Sequence, residues 1–230
     1  VSIPGVHRPV SDTWLLADAI AAEVPRGRTV ADLCCGSGVL AIAAALAGAR
    51  SVLAVDVSLR AVVATRINAL INRCAVQVRR GDLIEALGER RFDLIVCNPP
   101  YVPSQTDELP RHSRNTALDG GRDGRLLIDR VCRDASRHLE PGGTVLLVQS
   151  SICDPERSMA MLSESGLDVA EMRRVQGQLG PVMRARAPML SQRGLLADPD
   201  HEELVVLQGH RPAGGASSGV RGSAPRERTA

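Results

Sequence analysis

Asn98-Pro-Pro-Tyr101 is the stretch of this 230-residue chain with the most specific chemistry. Pro99 forces Asn98 out of the helical region and into an extended conformation. The two prolines fix their own φ and lack N–H groups. The result is a stiff ledge with free carbonyl oxygens, to which Asn98 adds a side-chain carbonyl. Two acceptors held this way grip both hydrogens of a planar –NH2 group, and Tyr101 can stack on its flat face. Such a ledge suits a weakly nucleophilic amide or aromatic amine that must be aimed at an electrophile. Asn98, Pro99, Pro100 and Tyr101 are therefore candidate catalytic residues. A plain proline turn ending a strand is the structural alternative.

Three upstream features point to a bound nucleotide-like group. In Asp32-Leu-Cys-Cys-Gly-Ser-Gly38, glycines follow a first strand and open a helix, letting backbone approach a ligand. Gly36-x-Gly38-x-x-Ala41 meets the loose dinucleotide fingerprint, although a bare glycine turn would look the same. Asp56, twenty residues beyond Gly36 at the end of a second strand, can accept both hydroxyls of a ribose. Enzymes using NAD or S-adenosylmethionine (SAM) both employ such a carboxylate; the alternative is a partner for the helix that starts at Ser58. Asp82, in Arg80-Gly-Asp-Leu83, can bond an adenine amine together with its neighbouring backbone, or can serve as a helix N-cap. The five histidines, at 7, 112, 138, 201 and 210, share no spacing or motif and read as surface residues.

These residues require strands and helices in alternation. Helices are predicted over Asp12–Val24 (ending at Pro25), Val39–Ala47, Ser58–Ile71, Asp123–His138 and Pro155–Ser165. Strands are predicted over Arg28–Leu33, Val52–Asp56, Val76–Arg79, Asp93–Cys97, Thr144–Gln149, Asp168–Val175 and Glu203–Gln208. Continuous apolar early strands mean a parallel sheet covered on both faces. The segment Gln176–Asp200 reads as a loop rather than a helix, so the last two strands should pair antiparallel at the sheet edge. The stretch from His210 to Ala230 is mostly Gly, Ala, Ser, Pro and Arg and reads as a disordered tail.

Composition bounds the answer. Hydrophobic residues at 44% and charged residues at 23% exclude a wholly disordered chain. Trp14, Phe92 and Tyr101 are the aromatics, so the core must be aliphatic. A net charge of +2 does not by itself indicate nucleic acid. All basic residues other than histidine are arginine; those between Arg111 and Arg137 read mainly as a solvated face. Six cysteines without C-x-x-C spacing read as small buried hydrophobes in a reducing cytoplasm, and no metal site is expected. No run long and apolar enough to span a membrane is present, nor is a signal peptide visible.

With these residues in place, the sequence resembles a class I SAM-dependent methyltransferase carrying the N-P-P-Y signature. Within that class it resembles the HemK/PrmC protein-(glutamine-N5) methyltransferases, which modify the Gly-Gly-Gln motif of class I release factors. Pro9-Val-Ser-Asp-Thr13, Asn98-Pro-Pro-Tyr-Val-Pro103 and Ala117-Leu-Asp-Gly-Gly-Arg-Asp-Gly124 carry the likeness, which covers about residues 7 to 209. The bacterial members have an N-terminal helical domain that grips the release factor, which this sequence does not show. It looks more like the short eukaryotic and archaeal branch, whose members often work with a small partner protein.

The resemblance implies an α/β fold: a seven-stranded, Rossmann-like methyltransferase sheet, mostly parallel with one antiparallel edge strand and helices on both faces. One methyltransferase domain would span residues 1–209. SAM is the implied cofactor, held by Thr13, Asp32, Cys34, Cys35, Gly36, Ser37, Gly38, Asp56, Val57, Asp82, Leu83 and Asn98. Thr13 and Trp14 would close over it. The expected activity is methylation of a glutamine side-chain amide in a protein such as a release factor. Rival readings are an adenine-N6 methyltransferase of nucleic acid, a small-molecule N-methyltransferase, and a non-catalytic SAM- or NAD-binding module. The absence of a DNA-recognition domain and the near-neutral charge weigh against nucleic acid.

Overall fold

The computed structural model describes residues 3–23, 26–108, 117–196, 198 and 200–213. The expected helix end at Pro25, the arginine-bearing stretch 109–116 and most of the expected tail, 214–230, lie outside the described residues. Helix α1 (Ser11–Glu23) leads into strand β1 (Thr29–Leu33), then α2 (Val39–Leu46), β2 (Ser51–Asp56), α3 (Leu59–Ile71) and β3 (Val76–Arg80). A 3-10 turn (Leu83–Leu87) precedes β4 (Phe92–Cys97). After a long connection come α4 (Leu126–Asp134), β5 (Leu139–Ser150), α5 (Pro155–Glu164), β6 (Asp168–Gln178), α6 (Pro181–Gln192) and β7 (His201–His210).

The seven strands form one sheet in the order β3-β2-β1-β4-β5-β7-β6. Strands β1 to β5 pair in parallel, whereas β7 runs antiparallel to both β5 and β6. The sheet thus has the expected seven strands with one reversed. That reversed strand lies one place in from the edge, and β6 forms the border.

Successive residues of a strand face opposite sides, and the core divides accordingly. Ala31, Leu33, Leu53, Val55, Ile95 and Leu147 point to one face, with Ile128, Val131 and Leu162 of α4 and α5 packed on them. Val30, Val52, Ala54, Leu94, Val96 and Leu146 point to the other, under Leu16, Ala19 and Ile20 of α1 and Leu40 and Ala44 of α2. The core is aliphatic apart from Phe92. Local sequence explains several boundaries. Ser58 is extended and its Oγ accepts from Ala61 N at 3.4 Å, so α3 starts there. Asp154 caps α5, with Pro155 in the first turn.

Two expectations require correction. Helix α4 starts at Leu126, later than Asp123, because Gly121 and Gly124 adopt positive φ in a turn ahead of it. The expected loop between the last two strands contains α6. Pro181 occupies its first turn, where a missing N–H costs nothing, and Pro188 lies inside it. Met183 and Leu190 bury its inner side against Val102 and Leu179, and this packing outweighs the internal proline.

Candidate active site

The C-terminal ends of β1, β2 and β4 lie side by side in the sheet, and the turns that follow them carry the candidate residues. In open α/β sheets this is the edge where ligands bind. The turn after β1 is tightly specified. Cys34, Gly36 and Gly38 all have positive φ, at 58°, 54° and 83°. That conformation is costly for a residue with a Cβ, so Cys34 is held there by its surroundings. Gly38 must be glycine for a further reason: a Cβ would come 2.7 Å from Cγ2 of Thr65.

The inner side of α3 fixes this turn. Thr65 Oγ1 donates to the Gly36 carbonyl at 3.1 Å, and Asn68 Nδ2 donates to the Ser37 carbonyl at 2.9 Å. Cys35 N donates to the Val55 carbonyl, tying the turn to β2. Asp56 accepts from Gly36 N and from Ser58 N, both at 2.9 Å, through separate oxygens. It therefore does what the helix-partner alternative required, while each carboxylate oxygen keeps a further lone pair. Burial raises its carboxyl, and the two N–H donors oppose that shift.

Asp32 is fully buried. Its Oδ2 accepts from Ala41 N at 3.0 Å, whereas Oδ1 has no hydrogen-bond partner among the described residues. Burial pushes its carboxyl up to about 8; the Ala41 N–H opposes the shift and the nearby Asp56 adds to it. An orphaned buried carboxylate oxygen next to a glycine turn fits a cationic ligand group. Cys34 and Cys97 thiols are neighbours, and their hydrogen bond and burial push the Cys34 thiol well above its ordinary value. All six cysteines are free.

The segment after β4 is anchored from two directions. In front stands the start of α1. Tyr101 donates its hydroxyl to buried Asp12 Oδ2 at 2.6 Å, and Asn98 Nδ2 donates to Thr13 Oγ1 at 3.2 Å. Burial, reinforced by Asp12, holds the Tyr101 phenol well above its ordinary value, so it stays a donor. With Nδ2 engaged, Asn98 presents Oδ1 as an acceptor. Behind the ledge, Gly120 packs so closely that a Cβ would lie 2.7 Å from the Pro100 carbonyl and 2.8 Å from Tyr101 Cα. Cys153 Sγ donates to the Tyr101 carbonyl at 3.1 Å. That carbonyl is thus not one of the free oxygens expected of the ledge. Buried Arg125 in turn grips the carbonyls of Cys153 and Asp154 and pairs with Asp129 at 2.7 Å.

Other expected residues stand further out. Asp82 is exposed and ion-paired with Arg130 at 2.9 Å. It occupies the capping position of the 3-10 turn without a side-chain cap bond. Leu83 points into the core, and Val57 is exposed beside Asp56. Trp14 is 56% exposed next to Thr13. Sequence reasoning missed Thr65, Asn68, Cys153 and Arg125 as supports. Asp12 was visible only as part of a matched segment, because its partner lies 89 residues away and leaves no local signal. It also missed Glu202, whose Oε2 is buried without a hydrogen-bond partner among the described residues. Burial raises its carboxyl, and Asp12 adds to that rise.

Comparison with known proteins agrees with this geometry. A family model for the methyltransferase small domain matches residues 10–114. Methyltransferase HEMK2 of Mus musculus is 34% identical over 170 residues, covering 70% of this chain and 79% of its own length. A protein of Methanocaldococcus jannaschii named for N5-glutamine methyl transfer is 32% identical, covering 72% of this chain and 83% of its own. Release factor glutamine methyltransferase of Geobacter sulfurreducens is 35% identical over 72% of this chain, which spans 60% of that relative's length. Among solved structures, the chain of the E. cuniculi Mtq2-Trm112 complex shares the fold, with a TM-score of 0.63 and 22% identity, covering 90% of this chain and 99% of that one. The chain is a methyltransferase and belongs to the HemK/PrmC family of protein-glutamine methyltransferases.

Proposed function

We propose that this enzyme transfers a methyl group from SAM to the side-chain amide of a glutamine in a protein, a class I peptide chain release factor being the first choice. The observation that carries the reading is the Asn98 amide, whose Nδ2 is engaged by Thr13 Oγ1, which leaves Oδ1 as the acceptor. The names of the relatives supply the substrate class: release factor glutamine methyltransferases and a ribosomal protein uL3 glutamine methyltransferase of Bradyrhizobium diazoefficiens.

The residues present fit SAM. Asp32 Oδ1, buried and unpartnered, suits its positive charge. Cys34, Cys35, Gly36, Ser37 and Gly38 would wrap the methionine portion, and Asp56 has lone pairs left for ribose hydroxyls. Val57, Asp82 and Leu83 would border the adenine, with Thr13 and Asn98 at the methyl end. SAM supplies the methyl group as an electrophilic sulfonium. The protein's part is positioning: Asn98 Oδ1 and the Pro99 carbonyl of the ledge, stiffened by Pro100, accept from the two amide hydrogens, and the Tyr101 ring, held by Asp12, borders their flat face. Holding two reactants in attack geometry contributes about 7–11 kcal/mol in well-oriented systems. Residues 1–209 would act as one catalytic domain. A reducing compartment such as the cytoplasm suits the free thiols. A small companion protein is also inferred, because the E. cuniculi relative in fold is described as a complex with Trm112.

The test is incubation with labelled SAM and a class I release factor, followed by mass spectrometry of the labelled residue. Label on the glutamine of Gly-Gly-Gln is expected. Label on adenine of nucleic acid instead would overturn the substrate while leaving the ledge chemistry in place. Asp56→Ala should weaken SAM binding about tenfold or more, since hydrogen bonds to a charged group contribute about 1.5–3 kcal/mol each. Unchanged affinity would remove Asp56 from the cofactor site.

A further inference from the structure

Helix α6 is apolar on two sides. Its inner side, with Met183 and Leu190, is buried against Val102 and Leu179. On its outer side Pro181, Arg184, Ala185 and Pro188 are exposed and Met189 is half-buried. Their spacing of three, one, three and one residues makes one helical face. A solvated face would be polar, yet Arg184 is the charged residue among these five. Two surface cavities, of about 540 Å³ and 670 Å³, border this face, and Ala185 lines both. Together they form a groove along the helix, about 12 Å long from Pro181 to Met189 at about 1.5 Å per residue. That length holds about four residues of extended chain.

The opposite wall ties the groove to the ledge. Ser104, Gln105, Thr106 and Glu108 line it, and Ser104 stands three residues past Tyr101. Arg186 joins the two walls: it pairs with Asp119 at 2.7 Å and donates to the Pro103 carbonyl at 2.9 Å. That ion pair leaves the floor without net charge. The two ends of the groove differ in sign. Arg184 lies in the cavity at the start of the helix, where the dipole adds positive potential, and Glu108 lies in the cavity that Met189 borders. Both side chains are exposed, and neither has an ion-pair partner among the described residues. Gln105, Thr106 and Gln178 add amide and hydroxyl groups. These suit a peptide backbone, which brings a donor and an acceptor with each residue other than proline.

The groove begins where the ledge ends, so a substrate chain aligned with the ledge enters it. In a Gly-Gly-Gln segment the two glycines carry no side chain to recognise, so discrimination must come from residues further along. We propose that the α6 groove holds a short extended segment of the protein substrate adjoining the target glutamine. This segment carries an acidic side chain towards Arg184 and a basic one towards Glu108. The proposal rests on the glutamine reading and adds where the substrate chain lies and which charges it presents. Pro188 and Met189 supply an apolar wall for the side chains between those charges, and a methionine adapts to more than one shape. The groove touches neither the glycine turn nor Asn98, so it governs capture of the substrate and not the chemical step.

Three variants and one crosslink test this with the full chain and an intact class I release factor. Ala185→Trp fills the groove from an exposed helical position. It should raise KM for the release factor about tenfold or more, with kcat, SAM affinity and melting temperature unchanged, as expected when only uniform binding is lost. Arg184→Glu and Glu108→Arg should each raise KM about three- to fivefold, the scale of exposed ion pairs. A diazirine side chain at position 185, with position 175 on β6 as the control, should crosslink the release factor. Mass spectrometry should place that crosslink within about seven residues of the glutamine, three to pass the ledge and four in the groove. Reversing the basic residue of that segment should restore KM in Glu108→Arg and raise it in the wild type. An unchanged KM in all three variants, a loss confined to kcat or SAM affinity, or a crosslink remote from the glutamine or no stronger than at 175 would overturn the proposal. So would a crosslink at 185 to a second copy of this chain in place of the release factor. Any of these results with the glutamine labelled sinks the groove alone. A crosslink beside the glutamine, with the methyl group found on another residue, sinks the glutamine reading alone.

Discussion

Asn98 Nδ2 donates to Thr13 Oγ1, and in the proposed reaction that bond decides which end of the amide meets the substrate. Thr13→Val keeps the shape and removes the acceptor, so the Asn98 amide can turn over. A neutral hydrogen bond contributes about 1 kcal/mol net, or roughly fivefold in rate. We expect kcat to fall by about that factor, with SAM affinity changed far less; equal loss in both would mean Thr13 acts through the cofactor. Asp32 gives a pH signature. Its folded carboxyl lies at about 8, against an ordinary value of 3.8. The folded protein therefore holds this proton more tightly than the unfolded chain does. The resulting stabilisation is complete below the ordinary value and is lost as pH rises to the folded one. Without ligand, the melting temperature of the wild type should fall relative to Asp32→Asn between pH 4 and pH 8. SAM should flatten that difference, because a cation beside Asp32 favours its ionised form. Parallel melting curves across this range would show that Asp32 stays charged.

Helix α6 shows how an element can be invisible in sequence and still shape the site. Gly180, Pro181 and Pro188 are ordinary signals for a break, and Arg184 and Arg186 interrupt any apolar period. What makes the helix is contact with residues far along the chain. Met183 and Leu190 pack on Val102, Arg186 pairs with Asp119 at 2.7 Å and bonds the Pro103 carbonyl, and Arg193 just beyond the helix bonds the Ser104 carbonyl. The helix therefore clamps the stretch that follows Tyr101. By contrast, α3 was legible almost to its ends, because Ser58 caps it directly after the apolar strand β2. The supports behind the ledge were not legible. The Cys153–Tyr101 and Asp12–Tyr101 contacts join residues 52 and 89 positions apart, and no local propensity encodes them. Leu190→Ala should cost about 2–5 kcal/mol of stability, as buried leucine truncations do. If α6 clamps the ledge, the variant at a temperature where it remains folded should also raise KM for the protein substrate. A stability loss with unchanged KM would make α6 a bystander.

At the scale of the whole molecule, the parallel strands deliver their turns to one edge, and the reversal of β7 brings its first residues to that same edge. Glu202 thereby reaches the neighbourhood of Asp12 and Tyr101. The described contacts continue to Arg211, which exchanges backbone bonds with Gly142 and Gly143 and holds the Leu139 carbonyl at 2.6 Å. No helix among the described residues is long and apolar enough to cross a membrane. Two strands set the distance between the proposed halves of the site: β1 carries the glycine turn and β4 the ledge, and they pair with Leu33 opposite Cys97. The central claim is that this pairing aims an amide, held by Asn98, at a methyl group bound over β1. The most direct measurement is single-turnover methylation of a glutamine-bearing release factor by wild type and Asn98→Ala, with SAM affinity measured on the same two proteins. The expected result is a rate loss of about a hundredfold or more, as when one positioned polar group is removed from other active sites, with SAM affinity within about threefold, a change of under 1 kcal/mol. Full activity in Asn98→Ala, or a loss explained entirely by weaker SAM binding, would contradict it.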